Sequence, residues 1–140
     1  MTAEATRSVR IDWTGDGLKF RGGGTNPATP KIEMDGDNET SPCPMLALLL
    51  AAAGCSAADV VLILEKMRVT LADFSVEVEG VRRQDDPRRY DALHLRYRLK
   101  GESLDSDKAE RAVSLSVTKY CSVLHSLAPD IAVSYDIELG

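Results

Sequence analysis

Pro44-Met45-Leu46-Ala47-Leu48-Leu49-Leu50-Ala51-Ala52-Ala53-Gly54-Cys55-Ser56-Ala57-Ala58-Asp59-Val60-Val61-Leu62-Ile63-Leu64 is the stretch on which the fold turns. It is far too long for a strand and is apolar on every side, so it reads as a buried helix. Pro44 suits the first helical position, where its missing N–H costs nothing, and that puts Cys43 at the N-cap or beside it. Lys66 and Arg68 oppose the dipole in a last turn expected near Arg68. The length alone would span a bilayer, but Asp59 falls inside the run and alanine, glycine and serine dilute it. A helix enclosed by protein on all sides is therefore expected, and no membrane partner. Gly54, in its middle, suggests close packing or a kink.

Outward from the helix the apolar period changes from helical to alternating. Val9, Ile11 and Trp13 alternate with polar residues, and Gly15-Asp16-Gly17 is a hairpin turn leading to Leu18 and Phe20. Gly22-Gly23-Gly24 interrupts this pattern, and a third short strand is expected from Lys31 to Asp35 before a loop at Gly36–Thr40. After the helix, Phe74, Val76 and Val78 share one strand face, with a bulge expected at Gly80. Leu93, Leu95, Tyr97 and Leu99 share a face of the next strand, which leaves His94 on the solvated side. A second helix opens at Asp105–Lys108, with Asp107 and Glu110 spaced as a capping box, and its apolar stripe runs through Ser116 and Tyr120 to Cys121. Ile131 to Leu139 alternates as a final strand. This order predicts one α+β domain over residues 1–140, with an antiparallel sheet packed on helices.

Composition narrows the function. A net charge of −5 argues against a nucleic-acid partner, and the Arg82-Arg83 and Arg88-Arg89 pairs are separated by acids, not joined into a basic stripe. Met1–Arg7 lacks the apolar core of an export signal, so three cysteines suggest the reducing cytoplasm. No Cys-x-x-Cys pair and only two distant histidines leave no metal set, and no glycine-rich phosphate loop is present, so neither a metal nor a cofactor is expected. What remains is two cysteines set in apolar helical segments, Cys55 and Cys121. Either alone reads as a small core residue; together they are worth testing as a thiol pair.

The frames that hold them, Ser41-Pro42-Cys43-Pro44-Met45-Leu46 through Ala53-Gly54-Cys55-Ser56 and Ser114-Leu115-Ser116-Val117-Thr118-Lys119-Tyr120-Cys121-Ser122-Val123, resemble the two signatures of the OsmC/Ohr superfamily. These are the osmotically inducible protein C and organic hydroperoxide resistance proteins, and the resemblance extends over nearly the whole chain. It implies an intertwined homodimer with long central helices buried between subunits. It also implies a thiol peroxidase in which Cys55 attacks an organic hydroperoxide, Cys121 resolves the resulting sulfenic acid, and a dithiol reductant restores both. Arg21 is the candidate for the arginine that assists the active thiol in that family. One departure stands out: the family's peroxidases commonly carry a glutamate at the start of the long helix, where this chain reads Met45-Leu46. The alternative is a non-catalytic member holding a small apolar or sulfur-containing ligand at the dimer interface. A third reading leaves both cysteines as core residues only.

Overall fold

A computed structural model describes residues 6–140. Most of the segment bearing on an export signal lies outside that span. The chain divides into two compact units, one ending at Leu48 and one running from Leu49 to Gly140.

The first unit is an antiparallel sheet of β1 (Val9–Trp13), β2 (Lys19–Gly24) and β3 (Lys31–Asp35), in that order. The Gly15-Asp16-Gly17 turn is as expected, with both glycines at positive φ. The glycine run does not end the strand, however. Gly22, Gly23 and Gly24 pair with Ile11, Arg10 and Val9 across β1, and a Cβ on Gly22 would stand 2.6 Å from the Arg10 carbonyl oxygen. Glycine is there because the backbones approach closely. At the end of β3 the buried Asp35 carboxylate organises the following loop. It accepts from the N–H groups of Asp37, Glu39 and Thr40 at 2.9, 3.3 and 3.0 Å and from the Thr40 hydroxyl at 3.1 Å.

The long helix α1 is Pro44–Lys66. The Cys43 carbonyl accepts from Ala47 N–H at 2.9 Å, which makes Cys43 the N-cap and Pro44 the first helical residue, as the sequence indicates. The helix ends two residues before the expected Arg68, which adopts a left-handed φ of 61°. It is long and apolar enough to cross a membrane by length and composition alone. Its own chain does not enclose it. Leu49, Ala52, Ser56, Val60 and Leu64 form a buried stripe, whereas Leu50 and Leu62 are 59% and 57% exposed. Gly54 stands inside this continuous helix and does not pack closely: among the described residues a Cβ there would meet nothing within 4 Å.

In the second unit β4 (Thr70–Arg82), β5 (Tyr90–Glu102) and β6 (Ala132–Leu139) form a sheet in chain order. The α+β class is as expected, but this sheet is mixed: β4 and β5 are antiparallel, whereas β6 runs parallel to β5. The intervening helices return the chain to the end at which β5 began, and a strand entered from there runs parallel. Gly80 is not a bulge. It pairs in register with Leu93, and the shift falls one residue later, between Val81 and Arg82. A Cβ on Gly80 would sit 2.6 Å from the Tyr90 ring, so glycine serves packing. Leu93, Leu95, Tyr97 and Leu99 line the buried face of β5; burying each contributes about 1.5–3 kcal/mol.

The second helix, α2 (Ser106–Leu115), is capped by Asp105, which accepts from Lys108 N–H at 2.8 Å, and not by an Asp107–Glu110 box. Glu110 instead accepts the Tyr135 hydroxyl of β6 at 2.6 Å. The helix then widens into a π-turn at Ser116–Tyr120, breaks at Cys121, and resumes as the short α3 (Ser122–Ser126).

The Asp35 loop yields a pH prediction. The N–H groups of Thr40 and Asp37 hold this carboxyl down from 3.8 to about 2, with smaller help from the Thr40 hydroxyl and Glu39 N–H and against the cost of burial. A folded value below the unfolded one stabilises fully above the unfolded value, and that contribution is lost as pH falls through the folded value. Urea midpoints of wild type and Asp35→Asn, compared from pH 5 to pH 2, should converge as pH falls. Parallel curves would contradict the assignment.

Candidate functional site

Cys55 and Cys121 lie in the same unit, carried by α1 and by the break after the π-turn. Cys55 follows the buried Ala52 by three residues and precedes the buried Ser56, so it flanks the inward stripe and stays half-buried. Cys121 is fully buried. Both are free thiols, as is Cys43. The Cys121 N–H bonds back to the Ser116 carbonyl at 2.8 Å, a five-residue span that closes the π-turn. This turn gives Cys121 an extended backbone (φ −68°, ψ 101°) and brings its sulfur to 4.0 Å from the Ala52 carbonyl oxygen on α1.

The two side chains are close enough to act on one another. Burial pushes the Cys121 thiol from 9.0 up to about 11, and the Cys55 side chain, as hydrogen-bond partner and as charge, pushes it the same way. The backbone amides of Leu124 and Val123 pull it down. At neutral pH Cys121 is therefore a neutral thiol.

Three hydroxyls and one carboxylate stand beside this pair. The Ser56 hydroxyl lies 2.5 Å from the Tyr97 hydroxyl and 2.8 Å from the Ser116 hydroxyl. Ser116 in turn donates to Asp59 Oδ2 at 3.1 Å, with the Ser56 carbonyl oxygen 3.3 Å away. Ser56, Tyr97 and Ser116 are buried and Asp59 is half-buried. Burial raises the Tyr97 phenol to about 12; Ser56 opposes this, and the charges of Cys121 and Asp59 add to it, so Tyr97 is a neutral donor. Its ring packs edge-on against Tyr135, with centroids 6.4 Å apart. Asp59 also lines an open groove of about 480 Å³ together with Leu62, Lys66, Arg111 and Tyr120.

Four further residues are described each within its own unit. Arg21 is exposed on β2 of the first unit, directly across from Asp12 on β1 and Glu33 on β3. Cys43 is in that unit too, where its N–H donates to Asn38 Oδ1 at 3.1 Å. The first turn of α1 carries no acid. His94 is on the outer face of its sheet, bonded to Ser134 at 2.7 Å and to Asp136 at 2.8 Å. His125 is exposed. Among the described residues no group of three or more His, Cys, Asp or Glu is arranged to hold a metal.

The sequence reading missed Tyr97, Ser56 and Ser116 as a set, because each was absorbed into a motif or an apolar stripe. One signal was available: a tyrosine on a buried strand face requires a partner for its hydroxyl.

A mixed sheet, a long apolar helix and a π-turn that sets a second cysteine against the first define an OsmC-type protein. The chain belongs to the OsmC family: the family profile described as OsmC-like protein matches residues 35–136. It is 37% identical over 132 residues to Protein YhfA of Escherichia coli K12, covering 94% of this chain and 96% of the relative. Its fold is shared with an OsmC-like protein from Mycoplasma pneumoniae, with a TM-score of 0.81, 13% identity, and 97% and 98% of the two chains covered. It is shared also with the organic hydroperoxide resistance protein OhrB of Bacillus subtilis, with a TM-score of 0.60, 14% identity, and 99% and 100% covered.

The hydroxyl cluster has a measurable energetic signature. Ser56→Ala leaves a buried phenol without its partner and should destabilise the chain by about 1–3 kcal/mol, whereas adding Tyr97→Phe removes the orphan and should recover part of the loss. Urea unfolding of both variants checks this. Strictly additive losses would break the link between the two groups.

Proposed function

We propose that this protein is a thiol-dependent peroxidase that reduces organic hydroperoxides. The observation that carries the reading is the neighbouring of two free thiols that are distant in sequence and differ in environment, one half-buried and one sealed. The Cys55 thiolate attacks the distal peroxide oxygen; the O–O bond breaks and its electron pair leaves with the alkoxide, which takes up a proton as alcohol. The Cys55 sulfenic acid then condenses with Cys121 to a disulfide and water, before further oxidation can occur. A dithiol reductant returns both thiols. Apolar surroundings favour a bulky organic hydroperoxide over hydrogen peroxide, and the name of the fold neighbour OhrB agrees in kind. Arg21 is assigned, from the family resemblance, to assist the Cys55 thiolate. The working location is the cytoplasm, where reducing conditions keep cysteines free.

The working unit in this proposal is a homodimer. An α1 helix apolar on two sides buries only one against its own chain. The alternative, a binding protein holding a small apolar or sulfur-containing ligand at the dimer interface, draws on the lack of any acid in the first turn of α1.

The test adds one equivalent of cumene hydroperoxide to reduced protein. Two thiols per chain should disappear, and peptide mapping should find Cys55 linked to Cys121, with no linkage in Cys55→Ser. Two intact thiols after treatment, together with a ligand-induced thermal shift that survives Cys55→Ser, would favour the binding protein instead. Sedimentation should give twice the monomer mass, and Leu62→Glu should lower it toward one; a monomeric wild type removes the dimer.

A further inference from the structure

We propose that Ser116 is the positioning residue of the thiol pair: it clamps the π-turn to α1 and so sets the effective concentration of Cys121 at Cys55. This rests on the reading of Cys55 and Cys121 as a redox pair and adds what holds them together.

The difficulty for such a pair is that its members ride on separate elements. Cys55 is mounted on the continuous helix α1, whereas Cys121 follows the π-turn in the segment that joins β5 to β6. Two groups react as one only when their supports are fixed relative to each other, and a small misplacement lowers the rate steeply.

Ser116 meets this need at a single point. It is fully buried where α2 passes into the π-turn. A carboxylate only accepts, so the Ser116 hydroxyl proton is directed at Asp59 Oδ2, 3.1 Å away, with the Ser56 carbonyl oxygen as a second acceptor at 3.3 Å. With its one proton so used, the Ser116 oxygen accepts from the Ser56 hydroxyl at 2.8 Å. One side chain therefore grips two residues of α1 that are three positions apart and share a face. Tyr97 donates to the Ser56 oxygen at 2.5 Å, which ties the helix end of the clamp to β5.

The backbone of the same residue holds the second cysteine. The Ser116 carbonyl accepts from the Cys121 N–H at 2.8 Å. The Cys121 sulfur then lies 4.0 Å from the carbonyl oxygen of Ala52, one helical turn before Ser56. Cys55 stands between Ala52 and Ser56 in the chain. From Cys55 to Cys121 the route is thus one peptide bond to Ser56, a hydroxyl–hydroxyl bond to Ser116, and a backbone bond closing the turn.

A clamp and a contact that only stabilises the fold differ in one measurable respect. The second stabilises the dithiol and disulfide forms alike and cancels from the equilibrium between them. The first supplies in advance the ordering that an S–S bond requires, so it appears in that equilibrium. Exchange with glutathione isolates the quantity. The Cys55 thiolate attacks a sulfur of glutathione disulfide; that S–S bond breaks and one glutathione thiolate leaves with the electron pair. The Cys121 thiolate then attacks the Cys55 sulfur and displaces the second glutathione. Two protein thiols and one glutathione disulfide give one protein disulfide and two glutathione thiols, and the equilibrium constant is an effective concentration.

The experiment equilibrates folded protein with graded mixtures of reduced and oxidised glutathione near neutral pH. Samples are quenched in acid, and the Cys55–Cys121 linkage is quantified by peptide mapping, which keeps Cys43 separate. Ser116→Ala should lower the effective concentration about tenfold, equivalent to a shift of about 30 mV. Ser56→Ala cuts the same clamp from the α1 side and should fall alike, and the double variant should fall little further than either single one. Val69→Ala removes buried volume beyond the end of α1 with the clamp intact. It should lower the urea midpoint and keep the wild-type constant. Unchanged constants in Ser116→Ala and Ser56→Ala, with lowered urea midpoints, would make Ser116 a fold contact and overturn the clamp alone. An equal fall in Val69→Ala would overturn it too. A wild type that forms no Cys55–Cys121 linkage even in fully oxidised glutathione would overturn the redox pairing beneath it.

Discussion

The packed core of the second unit depends on the meeting of Ser56, Tyr97 and Ser116. Apolar contacts would let α1 slide or turn over the sheet at small cost, since one methyl against another is much like the next. Hydroxyls sealed from water do not allow that, because each one left without a partner costs about 1–3 kcal/mol. Tyr97 comes from β5, Ser56 from α1 and Ser116 from the π-turn, so one cluster ties three elements at fixed register. A one-residue slip of β5 would turn Tyr97 to the solvent face. One residue of rotation in α1 would carry Ser56 away and Cys55 with it. The thiol positions are consequences of this lock: Cys55 precedes Ser56, and Cys121 is bonded to Ser116 across the turn.

The same lock gives the thiols different surroundings. Cys121 is fully buried, and burial keeps it protonated. Cys55 is at the margin of the stripe and only half-buried. In the proposed reaction that asymmetry is useful. A peroxide must reach the attacking sulfur from outside, whereas the resolving sulfur has to reach only its neighbour, and sealing it protects it from reagents in bulk solvent.

Much of this was legible in the sequence, for reasons that differ by residue. Helix α1 was plain because Pro44 fixes its start and its apolar run has no competing period; β5 was plain because Leu93, Leu95, Tyr97 and Leu99 alternate cleanly. The cysteines stood out by their frames. The direction of β6 was not legible, since alternation reports which face is buried and not which way a strand points. The triple glycine read as a break because propensity disfavours it in strands, yet close approach of β1 required it. The hydroxyl cluster was hidden because period-based reading treats Ser56 and Ser116 as small stripe residues, and only three-dimensional packing shows that their oxygens meet. Arg21 follows from the family resemblance alone, because no local periodicity links a strand residue to a helix cysteine.

Helix α1 also bears on assembly through geometry. Leu50, Gly54, Ala58 and Leu62 recur at four-residue spacing along its exposed side, so they form one row on the surface. The centre of that row is small and its ends are large, which makes a shallow saddle where another helix axis can come close with leucines on either side. Gly54 suits such an approach: among the described residues nothing lies within 4 Å of where its Cβ would be, so the roughly 1 kcal/mol it costs a helix against alanine gains nothing internally. A helix apolar on both faces has two surfaces to remove from water, and this chain covers one. In the proposed dimer the second copy covers the other. The row that does so is on the same helix as Cys55, so association would stiffen the element on which the attacking sulfur of the proposed reaction is mounted.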